Sequence, residues 1–433
     1  MDNLIPELYR DYGLYVNYFR AFPLSVDGLK PVERRILLST YEIAKDKFVK
    51  SARIDGHCLG HYHPHSSSYS TIVQLVNQGF LDGQGNWGMD SGVEPNPAAA
   101  MRYTECRLSK FINDLTFKLI DYVPVQPSEL DDEPVYLPTM FPLCLLGNSY
   151  SVGIGFGFKT LIPCYKVEDL KERLLFLLGK TKKKPTIKPI SDCGILSGEQ
   201  DLETLLTTGK ATIQTRGVIE IDYRQCKVTV KSWPFVRRFE SILSKFSKEL
   251  ENQDVGFTDL STDKTKIVFE VLKQRSRDEI FKSFVKKLQS ALTGAVSFEI
   301  TVVDVSRQRI RTMSVDQMLL ETYKMFLKTN EVMLKSTISK IDEHITENKI
   351  LQKVIPSLKK HMGRESNISN TIEEISKETH VAGEIIAKLF NKYRINKLLT
   401  VSLDTADLER DKLVYVKNLG NIDEFVVNQY EKL

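Results

Sequence analysis

From Ser314 to Ile355 the chain places Leu319, Tyr323, Phe326, Met333, Ile338, Ile341 and Ile345 at roughly helical intervals on a long polar background. That spacing lines one face of an extended helix and excludes an alternating strand. The run is expected to stop at Ile355-Pro356, because proline lacks the amide that a helix interior uses. A compact helical segment over about 368–400 and a return helix from Ala406 to Tyr430 follow. Two long helices capped by a small bundle form an antiparallel coiled-coil arm, so residues 314–433 are read as a domain of their own.

A chain of 433 residues is too long for one core, and two or three domains are expected. No apolar run is long enough to span a membrane and no signal peptide is evident, so a cytoplasmic protein without membrane contact is expected. The 6 cysteines form no CxxC pair, which argues against a zinc ribbon or a disulfide framework. A net charge of +4 is too small for a protein that simply coats nucleic acid. Cations can still act locally, and Lys30, Arg34, Arg35, Lys45, Lys47, Lys50 and Arg53 are bunched in a way that can track a phosphate backbone.

Residues 4–20 read as a helix ending before Pro23, and Lys30-Pro31 opens a second. A third is expected around Ser51 to Gly60 and a fourth from Ser66 to Gln78, capped by serine. Helices joined by a tight turn, then short strands with DGQG at a bend, describe a winged-helix variant of the helix-turn-helix. From about Leu119 prolines punctuate short apolar runs; Arg216–Tyr223 with Lys227–Phe235 reads as a hairpin and Lys266–Leu272 as another strand. The fold class is α+β and multidomain.

The chemistry centres on Arg102-Tyr103, inside AAAMRYTECRLSK. A tyrosine phenol ionises near pH ~10 and needs neighbouring cations or a metal to attack phosphorus. An aryl phosphodiester is close in energy to the bond broken, so a cut strand can be resealed without fuel. Arg102 is suited to hold the scissile phosphate by charge-assisted hydrogen bonds.

RAFP, DGLKPVERRIL, KSAR, HYHPH, DGQGNWG and AAAMRYTE occur in that order between Arg20 and Lys110. This series resembles the breakage-reunion A subunits of type IIA DNA topoisomerases, bacterial gyrase and topoisomerase IV in particular. The resemblance is close over about 20–165 and mainly architectural beyond 310. It implies a helical arm (1–22), a winged-helix DNA-gate domain (23–120), a mixed α/β tower (121–313) and a coiled-coil C-gate with a small dimerisation bundle (314–433). It makes Tyr103 the nucleophile, with Arg102 and Arg20 at the scissile phosphate. Lys30, Arg34, Arg35, Arg53, His63 and His65 are expected on DNA, and Ile162, in Thr160-Leu161-Ile162-Pro163, as a wedge between base pairs. It also implies double-stranded DNA as substrate, a homodimer, and a B-type subunit completing an A2B2 assembly and carrying both Mg²⁺ and ATP. The β-pinwheel of gyrase A subunits does not follow the return helix, so relaxation and decatenation without negative supercoiling are expected.

Other features are weighed more simply. His57, His61, His63 and His65 with Cys58 raise a metal-dependent phosphodiesterase, but Pro64 and the flanking glycines suit a turn better and no acidic ligand set stands beside them, so no metal site is assigned. HPHSSSYST is shorter than the family's HPHGDSAVYDT and lacks its acidic groups, so quinolone sensitivity is not carried over. Gly153, Gly155 and Gly157 read as close backbone packing rather than a nucleotide loop. Glu129 to Glu133 and Lys180 to Lys188 read as solvated loops. The remaining rival is a winged-helix architectural protein without catalysis, which would form no covalent DNA adduct.

Overall fold

A computed structural model describes residues 4–89, 91–148, 150–235, 239–246, 250, 254–272, 275–307, 309–361, 368–393 and 404–433. The chain divides into two compact units, Met1–Phe326 with Leu433, and Leu327–Lys432. Both helices and several sheets are present, a mixed α and β architecture.

The first unit opens with α1 (Leu4–Val16), which passes into one π-helical turn, Asn17–Ala21. Then α2 (Pro31–Ala44) begins with proline at its first position, and the Lys30 amide donates to Glu33 Oε2 at 2.9 Å. Next, α3 (Ser51–His61) and α4 (Tyr69–Asn77) pack on α2. The fourth helix starts later than its serines promised. Ser68 does not cap it with its side chain; its hydroxyl and amide both donate to Asp55 Oδ1, tying α4 to α3. Strands β1 (Val49–Lys50), β2 (Leu81–Gln84) and β3 (Glu105–Leu108) form a sheet in the order β1-β3-β2.

The middle of the chain builds two larger sheets. One orders Tyr150–Ile154, Lys159–Pro163, Thr293–Glu299, Lys210–Arg216 and Gly194–Ile195. The other is an antiparallel set of Ile219–Asp222, Lys227–Val230, Ile267–Val271 and Val255–Asp259, as the alternation over 216–235 and 266–272 predicts. Its inward positions Val228, Val230, Ile267, Phe269 and Val271 are at most 1% exposed and pack with Phe281, Phe284 and Leu288 of the helix Arg277–Ala291.

Asp27 links the front of the chain to the segment around Leu137. Its carboxylate accepts from Arg34 at 2.6 and 3.0 Å, from the Leu29 amide at 3.0 Å and from the Leu137 amide at 3.0 Å. Arg34 is 2% exposed and consumed by this pairing. The expected DNA contact from Arg34 is therefore corrected to a structural one. A buried guanidinium is tolerated only when paired, and removing its carboxylate costs about 3–5 kcal/mol in comparable pairs. Farther along, Arg173 joins Glu203 at 2.8 Å and Asp316 at 2.7 Å, fixing the start of the long helix Val315–His361.

That helix does not stop at Pro356 but continues to His361. An interior proline costs about 3 kcal/mol. Burial of Val354, Ile355 and Leu358 against Ile375, Ile386 and Leu389 offsets the loss. These partners lie on the helices Ile368–Thr379 and Gly383–Lys392, while residues 394–400 of the expected segment fall outside the described residues. The return helix is two, Ala406–Gly420 and Ile422–Glu431, broken at Gly420-Asn421, a pair of poor helix formers. In the second unit Lys392 pairs with Glu347 at 2.6 Å, Lys412 with Asp342 at 2.6 Å and Lys349 with Glu409 at 3.3 Å.

Candidate active site

Tyr103 lies in the turn leading into β3 and is 63% exposed, with the Arg102 guanidinium carbon 4.6 Å from its ring centre. The turn is held by its neighbour. Thr104 is fully buried, its hydroxyl lying 2.8 Å from Ser51 Oγ and 3.0 Å from the Tyr69 hydroxyl, while its carbonyl accepts from the Ser51 amide at 3.0 Å. Tyr69 also donates to the Ala99 carbonyl, and the Tyr103 amide donates to the Ala100 carbonyl at 2.8 Å. An exposed phenol is thus mounted on an immobile frame made by the starts of α3 and α4.

A second cluster forms where the histidine turn meets the acidic loop. Arg35, on α2, donates to Glu133 at 2.7 and 3.0 Å and through Nη1 to His63 Nδ1 at 3.1 Å. Since a guanidinium only donates, His63 Nδ1 is the acceptor and the ring proton sits on Nε2. Burial, with the charges of Arg35, His65 and Arg20, pushes the His63 imidazole down to about 4. His61 Nδ1 stands 2.6 Å from Asp131, and His65 Nε2 lies 3.5 Å from Glu129. Glu133 is only 4% exposed; burial alone would raise its carboxyl, but the Arg35 hydrogen bond and charge hold it below the usual range. Residues 129–132 are exposed, in keeping with a solvated loop, while Glu133 at its end is buried against Arg35.

Arg20 is exposed on the π-helical turn, its guanidinium carbon 5.3 Å from the Tyr15 ring centre. The Tyr150–Ile154/Lys159–Pro163 hairpin lies across this turn. Asn17 fastens it, donating to the Phe156 carbonyl at 3.0 Å and accepting from the Phe156 amide at 2.7 Å. A side chain at Gly153 would meet the Ala21 carbonyl and one at Gly155 the Asn17 amide oxygen, so these glycines permit the close packing. Lys30 Nζ donates to the Val152 carbonyl at 2.7 Å.

Ile162 is fully buried in this hairpin. It is not available to insert between bases, because its side chain fills the core beneath the strand; the exposed isoleucine is Ile154, at 81%. Its flanking glycines were the sequence signal, since an apolar residue between two closely packed backbone positions is directed outward. Arg53 is exposed on α3. In the 180–188 run Lys184 pairs with Glu203 at 2.6 Å. Among the described residues no hydrogen bond or ion pair joins Tyr103 or Arg102 to Arg20, Lys30, Arg35 or His63. Among them, too, no group of three or more His, Cys, Asp or Glu is placed to hold a metal, and no helix is long and apolar enough to cross a membrane.

The family profile for the A subunits of DNA gyrase and topoisomerase IV matches residues 20–419, which contain Arg20, the histidine turn, Arg102 and Tyr103. The chain belongs to this A-subunit family. It is 26% identical over 448 residues to the DNA gyrase A subunit of Helicobacter pylori, a match covering 95% of the chain and 51% of that protein. The DNA gyrase A subunit of Campylobacter jejuni is 27% identical, with 99% of the chain and 52% of the relative covered. For the Clostridium acetobutylicum DNA gyrase A subunit, identity is 32% over 64% of the chain and 36% of the relative. The chain thus spans about half the length of the first two of these relatives.

His63 is expected to titrate near pH 4 in histidine NMR spectra, well below its ordinary 6.5. Between those values the unfolded chain binds the extra proton, so stability from this site is complete above about pH 6.5 and falls as the pH drops toward 4. Replacing Arg35 by Gln should move the midpoint upward, and an unmoved midpoint would remove Arg35 as a cause.

Proposed function

We propose that this chain is the DNA-cleaving and religating subunit of an ATP-dependent type IIA DNA topoisomerase. The observation that carries the reading is the Arg102-Tyr103 turn, exposed yet anchored through Thr104, in a chain of the gyrase and topoisomerase IV A-subunit family. Tyr103 Oη attacks the scissile phosphorus and its proton leaves. The bond to the 3′ oxygen breaks, and the 5′ end remains as a phosphotyrosyl ester. Return of the 3′ hydroxyl reverses the step. Arg102 stabilises charge developing on the phosphate oxygens. Arg20 approaches the same group, with His63 offering a neutral Nε2–H nearby.

Residues 23–120 act as a winged-helix DNA gate, a reading supported by α2, α3 and α4 beside a three-stranded sheet. Residues 1–22 form the arm, 121–313 the tower and 314–433 the coiled-coil C-gate. Double-stranded DNA lies along Arg20, Lys30, Arg35, Arg53, His63 and His65, the arginines and the lysine engaging phosphates by charge and the histidines by hydrogen bonding. The wedge expected of Ile162 passes to Ile154, which suits partial unstacking and bending of the duplex.

Each chain of a homodimer cuts one strand. That no hydrogen bond or ion pair joins Tyr103 or Arg102 to Arg20 among the described residues suits a site completed by a second copy. The helix Ala406–Gly420 buries none of its residues and exposes Leu413 at 70%, Val414 at 54% and Val416 at 44%, a face suited to self-association. A B-type subunit supplies the ATPase and the Mg²⁺ ligands in an A2B2 assembly in the cytoplasm, where Mg²⁺ assists phosphoryl transfer.

Tyr103→Phe should bind DNA normally but give no protein-linked linear product with partner subunit, Mg²⁺ and supercoiled plasmid; a covalent adduct from this variant would move the nucleophile elsewhere. Ile154→Ala should reduce DNA bending, read by fluorescence transfer between duplex ends, and an unchanged bend would exclude the wedge. Leu413→Asp should shift sedimentation toward monomer, whereas an unaltered dimer would place the interface on another surface.

A further inference from the structure

We propose that Asp259 is a positioning residue for the Tyr103 turn, acting through a strap formed by residues 91–95. The inference rests on Tyr103 being the nucleophile. The loop between β2 and β3 is held at both ends by its own subdomain. Near its start Met89 and Asn96 form an antiparallel bridge, and near its exit the Ala99 amide donates to the Asn86 carbonyl at 2.9 Å. Between those ties the loop reaches across to the Val255–Asp259/Ile267–Val271 hairpin.

Four contacts make the crossing. The Val93 amide donates to Asp259 Oδ2 at 2.7 Å, and Thr265 Oγ1 donates to the Ser91 carbonyl at 2.9 Å. Ser91 Oγ donates to the Thr262 carbonyl, and the Val93 side chain packs against the core of the four-stranded sheet. Asp259 is itself fixed, since its other oxygen accepts from the Ser261 amide at 2.9 Å. Beside the strap lies a cavity of about 900 Å³ lined in part by Trp87, Met89, Asn96, Pro97, Trp233 and Phe235. A loop bordering open space on one side depends on its far anchor.

The consequence concerns the chain entering Tyr103. Thr104 fixes the exit of the turn, and Tyr69 and Asn86 tie Ala99 at its entry; the strap, fastened to the other subdomain, steadies the segment that leads into those ties. Releasing Asp259 leaves the phenol attached but widens the orientations it samples, which lowers the rate of attack more than the affinity for DNA.

The test begins with the full chain alone. Asp259→Ala should increase amide hydrogen exchange over residues 91–101 and leave β3 and the four-stranded sheet protected. With partner subunit, Mg²⁺ and supercoiled plasmid, the same variant should cleave about three- to tenfold more slowly at unchanged DNA affinity, the scale of one net hydrogen bond. Asp259→Asn, which keeps an acceptor, should recover most of the rate. Thr265→Val, which removes a different contact, should reproduce the defect in milder form. Unchanged exchange and cleavage in Asp259→Ala, with Tyr103→Phe inactive, would overturn the strap and leave the nucleophile standing. An adduct from Tyr103→Phe would instead overturn the underlying reading. Lost protection throughout the four-stranded sheet would assign Asp259 to folding and also overturn the proposal.

Discussion

The Asp27–Arg34 pair is the fixed point on which the first unit depends. Its carboxylate gathers the loop after Pro23, the first turns of α2 and the chain near Leu137, so segments 110 residues apart share one acceptor. Each element then presents its next residue in a set direction. Arg34 faces inward to Asp27, and so Arg35 faces Glu133 and the histidine turn. Two adjacent arginines thereby serve different ends, one spent on the core and the other on electrostatics at the surface.

The histidine turn shows how a structure sets a protonation state. A free histidine near neutral pH is divided between two forms, but here the guanidinium beside His63 fixes its tautomer, and burial together with that guanidinium keeps the ring neutral. The carboxylates of 129–133 balance the remaining positive charge without gathering around one point, which distinguishes the arrangement from a metal site.

Much of this was legible from local pattern. Pro31 marked the start of α2, and the alternation around Lys227 marked strands that pair in the structure. The Arg102-Tyr103 pair stood out because its residues are compressed into one short stretch, and the structure sets Tyr103 in an exposed turn there. Errors arose where distant residues decide the outcome. No local rule separates Arg34 from Arg35, since burial depends on Asp27 and on a segment far along the chain. Pro356 was read as a stop, but the apolar residues around it gain enough from packing to carry the helix onward. Ile162 and Ile154 have the same side chain on one hairpin; the glycines on either side marked Ile154 as the outward one, while the burial of Ile162 is set by packing beneath the strand.

The contrast between Tyr103 and Thr104 has a mechanical meaning. An exposed rotor joined by one peptide link to a fully buried pivot is a short lever, and its tip can stray only as far as the pivot allows. Accuracy at the tip is therefore borrowed from the interior. Any slack at Ser51 or Tyr69, the two hydroxyls that hold Thr104, is passed directly to the phenol.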